Sequence, residues 1–441
     1  MIALKERKSR FWERRRPCLR ASQVGTPAGK GACAPKRWLT SLALPLLVVI
    51  LAASHPLRNV SAQTPSRRSS DRTAPRKGAA TDFDALARRA DEAREANRLE
   101  EASALYLQAL RLKPAWKEGW WYVGAMFYER DRYAEAREAF LKFVAVDPKF
   151  GPALAMLGLC EFQLRQYEPA LIHLRQGNLL GVGDNPDLRL VTRYHEAILH
   201  NRFEEFELAY DVMSRLINEQ PETPDLVFAL GLTALRLAYL PPDVPADKRE
   251  MALKAGRAAY YLITKRYQEA AQEFKEMVEN YRDSPGAHYA YGVFLLRDNP
   301  DAAIEEFRRE LQVAPKHVAA RLQIAFEMIK QGRHADGLPY AEEAVKLAPD
   351  LFAAHNALGR ILLETGEIER AVKELEVAVK LAPDSPEMYF ALARAYNRAK
   401  RPKDAERARA EFMRLDKIRR ASREGGEAAP EKIGSQQRPR D

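Results

Sequence analysis

Apolar side chains recur at intervals of three and four residues along positions 82–417, and this spacing predicts helices throughout the stretch. Glycine, asparagine or an Asp-Pro pair interrupts the pattern roughly every dozen residues, where turns between helices are expected. No segment shows the sustained alternation of apolar and polar positions that is typical of β-strands. The sequence therefore predicts an all-α protein built from many short helices.

The helical pattern also repeats with a fixed period. Pro114 and Pro148 are 34 residues apart, and so are Gly124 and Gly158. The prolines that keep this interval in the C-terminal half are Pro315, Pro349 and Pro383. A single helix hairpin cannot bury its apolar face alone, so a period of this length indicates hairpins stacked into a continuous solenoid.

The repeating unit resembles the tetratricopeptide repeat. The segment WWYVGAMFYERDRYAEAREAFLKFVAVDP, which begins at Trp120, carries Gly124, Ala136, Phe140 and Pro148 in the order of that motif. The resemblance covers nearly all of residues 82–417 and is strongest to exported bacterial members of the family. It implies a right-handed α-solenoid of about nine helix pairs, whose concave face binds a peptide or helix of a partner protein without catalysis.

Departures from the period divide the chain. We predict a leader at 1–62, a flexible linker at 63–81, an N-terminal array at 82–221, a C-terminal array at 251–417 and a disordered tail at 418–441. Between the arrays, residues 222–250 combine an irregular helix with a Pro-rich insertion, LPPDVPADKRE, that starts at Leu240. This insertion is predicted to be either a loop over the groove or a hinge between the arrays.

The leader has the composition of an export signal. A long basic segment precedes an apolar run at residues 38–53, and small side chains at Val60-Ser61-Ala62 predict cleavage before Gln63. The run is shorter than a comfortable membrane span, so cleavage and export to the periplasm or cell exterior is the favoured interpretation. The alternative is an uncleaved inner-membrane anchor. Only Cys160 would remain after cleavage, which predicts no internal disulfide.

The charge distribution argues against a nucleic-acid partner. The chain carries 71 basic and 61 acidic side chains, giving a net charge of +10, but the leader contains 12 of the basic and 2 of the acidic ones. The remainder is therefore electrically neutral overall, and a basic stripe that tracks phosphates is not expected.

Only one segment has a spacing similar to that of a metal-binding motif. His195, Glu196 and His200 share the residue types of a zinc-binding helix, but the two histidines are five residues apart rather than four and would point in different directions. A metal-dependent enzyme is therefore a remote alternative, and we expect neither catalysis, nor a metal, nor a cofactor.

Two clusters fall on the positions expected to face the groove. The C-terminal cluster consists of Tyr289, Phe326, Asn356, Arg360, Phe390, Arg394 and Asn397. The N-terminal cluster consists of Trp121, Tyr128 and Phe162. Arg360 and Arg394 are 34 residues apart and predict a row of guanidinium groups that suits a peptide or an acidic side chain. In the alternative interpretation, Trp121 packs between repeats and the arginines pair with carboxylates such as Glu364. A second copy of the chain is an alternative partner.

Overall fold

The computed structural model of the protein describes residues 77–219 and 222–424. Within these two ranges the chain forms nineteen α-helices and one short 3₁₀ turn, and neither range contains a β-strand. Each helix packs against the next along the chain. The predictions of an all-α fold and of an α-solenoid made from stacked hairpins are therefore confirmed.

The helices are numbered in chain order. They are α1 Lys77–Glu95, α2 Leu99–Leu112, α3 Lys117–Glu129, α4 Tyr133–Val146, α5 Gly151–Gln163, α6 Tyr167–Leu180, α7 Pro186–Arg202, α8 Phe206–Glu219, α9 Pro224–Ala234, α10 Ala246–Ile263, α11 Tyr267–Asn280, α12 Ala287–Leu295, α13 Pro300–Val313, α14 Val318–Lys330, α15 His334–Leu347, α16 Phe352–Thr365, α17 Ile368–Leu381, α18 Pro386–Arg398 and α19 Pro402–Glu424. The 3₁₀ turn Pro241–Asp243 lies between α9 and α10. All of the described helices except α9 belong to nine hairpins.

Most hairpins turn in the same way. A residue that follows the first helix adopts a positive φ. In the first three hairpins it is the second residue after the helix, and φ lies between 57° and 59° at Asn97, Asp131 and Arg165. The next amide donates to the carbonyl five residues earlier, as Arg132 does to Phe127 at 2.9 Å. This closure satisfies a carbonyl at the helix end and reverses the chain. It recurs at Gly332, Gly366 and Lys400 with the 34-residue interval.

Small residues allow the two helices of a hairpin to approach closely. A Cβ atom added to Gly124 would lie 2.9 Å from the ring of Phe140, and one added to Gly359 would lie 2.6 Å from Leu375 Cγ. Ala371, on the facing side of the α16–α17 hairpin, is fully buried. Larger side chains at these positions would force the helices apart, which is why the sequence keeps glycine and alanine there.

The first helices of the hairpins lie on the inner side of the curve. Along the stack, α5 contacts α7, α14 contacts α16, and α16 contacts α18. The second helices of the same hairpins, all within the described ranges, make no comparable contacts with one another. A stack in which only the first helices touch must curve around them, so these helices line the concave face.

In the middle of the solenoid, helix α9 belongs to no hairpin and packs against the first helix of the next hairpin, α10. Helix α10 packs against α9 on one side and against its own hairpin partner α11 on the other. At the α9–α10 crossing, a Cβ atom on Gly231 would lie 1.7 Å from the carbonyl oxygen of Ala252, and one on Gly256 would lie 1.9 Å from that of Val227. The two backbones are therefore in direct contact, and only glycine fits at either position.

The Pro-rich insertion between α9 and α10 is packed into the solenoid. Leu240 and Val244 are buried in adjoining cores. The side chain of Asn201 in α7 donates hydrogen bonds to the carbonyl oxygens of Leu237 and Tyr239 at 2.8 and 3.2 Å. These contacts pack the start of the insertion against the solenoid.

Two of the predicted boundaries fall inside helices, and others lie outside the described residues. Helix α1 begins at Lys77, inside the stretch predicted as linker, and α19 continues to Glu424, beyond the boundary predicted at 417. The apolar run at 38–53, the cleavage position before Gln63 and the remainder of the tail lie outside the described residues. Cys160 is buried and belongs to no disulfide among the described residues. Among the described helices, none combines the length and the apolar character needed to cross a bilayer.

Candidate protein-binding groove

The concave face of the C-terminal array carries two parallel rows of side chains. Tyr289, Asn356 and Phe390 belong to the first row, and the residues that lie four positions later, Val293, Arg360 and Arg394, belong to the second. Residues four apart share one face of a helix, so each pair projects into the same strip. We refer to these two rows, with Phe326 of the second row, as the C-terminal strip.

Arg360 is the cation of this strip that has no counter-ion. Its side chain in α16 is half-buried and forms no ion pair with any described residue. Burial lowers the pKa of the Arg360 guanidinium, and the neighbouring charge of Arg394 lowers it further, against an opposing effect of Glu364. A partly desolvated cation close to a like charge is a strong attractor for an anion.

Asn356 lies one helical turn before Arg360 and also has an unused polar atom. The residue is only 7% exposed, and its Oδ1 atom is buried without a hydrogen-bond donor among the described residues. Most buried polar atoms in folded proteins are paired, so Oδ1 of Asn356 is a candidate atom for a contact with a ligand or a water molecule.

Other predicted members of the strip already have partners. Arg394 forms an ion pair with Glu364 at 2.7 Å, a carboxylate that also binds Arg398. The side-chain oxygen of Asn397 accepts a hydrogen bond from Arg409 at 3.0 Å. For Arg394 the structure therefore agrees with the alternative interpretation in which the guanidinium pairs with Glu364.

The aromatic members of the strip differ in accessibility. Phe390 is 53% exposed and touches Phe412 of α19 on one side, with the ring centroids 5.6 Å apart. Phe326 is partly buried against the core. Tyr289 is buried against the rings of Phe307 and His317, and burial raises the pKa of its hydroxyl. Only Phe390 offers a large apolar surface to a ligand.

The N-terminal cluster packs against the core. Trp121 makes edge-on contacts with Phe140, Phe143 and Phe150, with ring centroids 5.6 to 6.0 Å apart, so it joins successive repeats. Tyr128 is buried, and Phe162 packs against the imidazole of His195 with centroids 4.5 Å apart. The sequence pattern predicts these three residues on a binding surface because their helix positions match the strip; the structure buries Tyr128 and leaves Trp121 and Phe162 partly exposed beside the core.

Val293 was missed by the sequence pattern. It is 40% exposed and precedes Phe326 and Arg360 in the second row. The repeat that contains it is one residue short, so Val293 is 33 rather than 34 positions before Phe326. Counting from the small residue Gly292, which is enclosed by the ring of Phe307, would have identified it.

The two histidines of α7 that the sequence singled out have different partners. His195 is buried and its Nδ1 atom lies 2.7 Å from the carbonyl oxygen of Val191, while burial lowers its pKa to about 4. His200 instead contacts the carboxylate of Glu205 at 2.6 Å, and that contact and Glu196 raise its pKa against the effect of burial. The described part of the chain contains no cluster of three potential metal ligands.

Comparison with known proteins identifies the repeats. The family model described as tetratricopeptide repeat matches residues 87–152, 127–177 and 328–389, which lie in both arrays. Human protein O-mannosyl-transferase TMTC3 is 26% identical over 287 residues, covering 61% of this chain and 28% of that protein. Its mouse counterpart is 26% identical over 142 residues, covering 32% of this chain and 15% of that protein. The chain thus spans less than a third of the curated relatives that it matches.

Solved structures of MamA align with part of the solenoid. MamA from Desulfovibrio magneticus RS-1 is 22% identical, with a TM-score of 0.36, and the alignment covers 38% of this chain and 96% of that one. A second MamA crystal structure is 13% identical, with a TM-score of 0.35, and the alignment covers 37% of this chain and 96% of that one.

Proposed function

Because the chain is a tetratricopeptide-repeat protein, we propose that it is a non-catalytic scaffold that binds an extended segment of a partner protein along the C-terminal strip. The single observation that carries this proposal is the pair formed by Arg360, which lacks a counter-ion, and Asn356, whose buried Oδ1 lacks a donor. Both belong to α16, on the concave side of the solenoid.

The chemistry of this pair selects the kind of ligand. A carboxylate would neutralise Arg360 by a charge-assisted hydrogen bond, and a peptide N–H would donate to Asn356 Oδ1 after rotation of the side chain brings this buried atom to the groove surface. The N–H groups of a helix are already bonded internally, except in its first turn, whereas an extended segment presents them freely. An acidic side chain beside an exposed peptide N–H therefore describes an extended partner segment better than a helical one.

The apolar part of the strip would contribute area rather than specificity. Val293 and Phe390 are 40% and 53% exposed and stand on either side of the Arg360 position along the array. A segment that lies along the strip would cover both side chains when its carboxylate reaches Arg360. Burying exposed apolar surface favours association at about 25 cal/mol per Å² before the costs of ordering the ligand.

Selection of random peptides displayed on phage against the full chain would test the proposal. We expect enrichment of sequences with an aspartate or glutamate, and Arg360→Ala should weaken the selected peptide by about 2 kcal/mol, roughly thirtyfold. Arg370→Ala is the matched control, since Arg370 is an exposed arginine of the second helix α17 that pairs with Glu342 and Glu367. Equal affinities for the wild type and Arg360→Ala, with both proteins folded, would refute the proposed site.

We also propose that the scaffold acts in the cell envelope, supported by the basic and apolar character of residues 1–53. Export with cleavage is the main proposal, and an assembly factor tethered by residues 38–53 is the alternative. Mass spectrometry of the purified protein from its native host separates them. A mature N-terminus at Gln63 supports export and excludes the tether, whereas an intact leader in the membrane fraction supports the tether.

A further inference from the structure

Two histidines occupy the same structural position in different repeats of the C-terminal array. His288 lies in the first turn of α12 and His355 in the first turn of α16, each four residues before the glycine of its helix. Both are 7% exposed. Each imidazole connects the loop that precedes its own helix to the second helix of the same hairpin.

Both ring nitrogens of each histidine face hydrogen-bond acceptors. In His355, Nδ1 lies 2.6 Å from Oε2 of Glu374 and Nε2 lies 2.7 Å from the carbonyl oxygen of Pro349. In His288, Nδ1 lies 2.6 Å from Oε2 of Glu306 and Nε2 lies 2.9 Å from the carbonyl oxygen of Arg282. A neutral imidazole has one donor and one acceptor nitrogen, so it can satisfy only one of its two partners. An imidazolium donates to both.

The surrounding charges favour the extra proton. His355 is acted on by Glu374 of α17 and by Asp350 of the preceding loop, and these groups with the Pro349 carbonyl raise its pKa against the effect of burial. At His288, the hydrogen bond to Glu306 raises the pKa against burial, with Glu310 of α13 acting in the same direction. Arg309, which also binds Glu306, is the opposing cation nearby.

We propose that His288 and His355 are proton-dependent latches that fix the C-terminal hairpins in register at acidic to neutral pH and release them as the pH rises. Protonated, each imidazole ties a loop carbonyl to a carboxylate on the second helix. When the imidazole is neutral, one of its two nitrogens is an acceptor that faces another acceptor, and that contact must open. The stabilisation is complete below the ordinary histidine pKa of about 6.5 and is lost as the pH rises through the elevated pKa of the folded state.

In a third repeat, the position of these two histidines is occupied by a lysine. Lys254 in α10 occupies the equivalent place and pairs with Glu273 and Glu276 at 3.5 and 2.7 Å. The hydrogen bond to Glu276 raises the pKa of Lys254 further from neutrality. This lysine therefore maintains its contact across the pH range in which the histidines release theirs.

The His355 latch also bears on the C-terminal strip, a consequence that rests on the proposed function. Asn356 follows His355 directly, and Arg360 lies one turn later on the same helix. Loosening of the first turn of α16 would disturb the geometry of both groups, so binding in the groove would weaken at alkaline pH. The latch itself needs no ligand and can be tested without one.

Nuclear magnetic resonance of the full chain with isotope-labelled histidine tests the protonation directly. We expect the pKa values of His288 and His355 to lie above 6.5, whereas buried His195, which contacts no carboxylate, should stay neutral through the same range. Glu374→Gln should lower the pKa of His355 and leave that of His288 unchanged. An ordinary or lowered pKa for His355 in the wild type overturns the proposal, whether or not the variant folds.

Hydrogen exchange at the amides of residues 350–356 tests the release. After division by the intrinsic rate at each pH, protection should fall by up to tenfold per pH unit between 6.5 and the elevated pKa, because opening releases one proton. Glu374→Gln should abolish this dependence there while the amides near Arg282 retain it. Protection that does not change with pH would overturn the latch, and it would leave the peptide-binding proposal untouched because that is measured at a single pH.

Discussion

Replacing Asn356 by leucine should raise the stability of the protein while weakening its binding to the partner peptide. Asn356 is 7% exposed and its Oδ1 has no donor among the described residues, so the folded protein carries the desolvation cost of that atom without a compensating bond. A buried acceptor left unpaired costs about 1–3 kcal/mol. Leucine has a similar shape and a slightly better helix propensity than asparagine. We therefore expect Asn356→Leu to raise the free energy of unfolding by about 1–2 kcal/mol, toward the low end of the desolvation cost.

The matched control is Asn201→Leu in α7. Asn201 is 1% exposed, its amide donates to the carbonyls of Leu237 and Tyr239, and its Oδ1 accepts a hydrogen bond from the hydroxyl of Thr233 at 3.0 Å. Its removal takes the donor from the Tyr239 carbonyl oxygen, whereas the Leu237 carbonyl still accepts from the Tyr239 amide and the Thr233 hydroxyl still donates to the Ala229 carbonyl. At about 1–3 kcal/mol for a buried group left unpaired, we expect Asn201→Leu to lower the free energy of unfolding by that amount.

Urea unfolding followed by circular dichroism measures both variants, and affinity for the selected acidic peptide completes the comparison. Asn356→Leu should be more stable than the wild type and bind the peptide at least tenfold more weakly. Asn201→Leu should be less stable while the folded fraction retains binding. If Asn356→Leu is destabilised as Asn201→Leu is, Oδ1 of Asn356 is satisfied within the protein and its assignment as an anchor is refuted.

Three further outcomes are expected. Gly256→Ala places a methyl group against the Val227 carbonyl and should cost about 3 kcal/mol, the upper end for overpacking, whereas Gly337→Ala should cost less because its closest neighbour is Met328 Cβ at 2.9 Å rather than a carbonyl oxygen at 1.9 Å. Equal melting temperatures for the two variants would contradict the α9–α10 crossing. Glu310→Ala should cost about 2–3 kcal/mol in thermal unfolding, since its carboxylate accepts bonds from the amides of Gly286 and Tyr289. The chain without residues 1–62 should show no sub-micromolar DNA binding at about 150 mM salt in an anisotropy titration, because its charges balance.

The sequence predicts the structure wherever the same local interaction recurs in successive repeats. The 34-residue interval of glycines and prolines predicts the hairpins, because close helix approach and chain reversal are set by single residues in each repeat. It also predicts which helix of each hairpin faces the groove. The close approach of Gly124 to Phe140 and of Gly359 to Leu375 follows directly from that interval.

The rest depends on contacts between segments that the period does not describe. The role of α10 in two helix pairs was hidden because the Pro-rich insertion breaks the count before Gly256 is reached. Trp121 occupies a groove position by spacing, but Phe143 and Phe150 enclose it only in three dimensions. The lack of a counter-ion at Arg360, and its presence at Arg394, depends on where Glu364 points. No pattern in one dimension distinguishes those two arginines.

The close approach of α9 and α10 at Gly231 and Gly256 should influence how the protein unfolds. Repeat arrays behave as chains of units coupled to their nearest neighbours, and disruption spreads most easily from their ends or across their weakest joint. Here the joint between the arrays brings two backbones into direct contact, with a Cβ at Gly231 excluded by Ala252 and one at Gly256 excluded by Val227. The two arrays should therefore melt as one cooperative block that frays from its outer hairpins. A truncation that cuts the chain between α9 and α10 would expose this joint and should lower the stability of both halves.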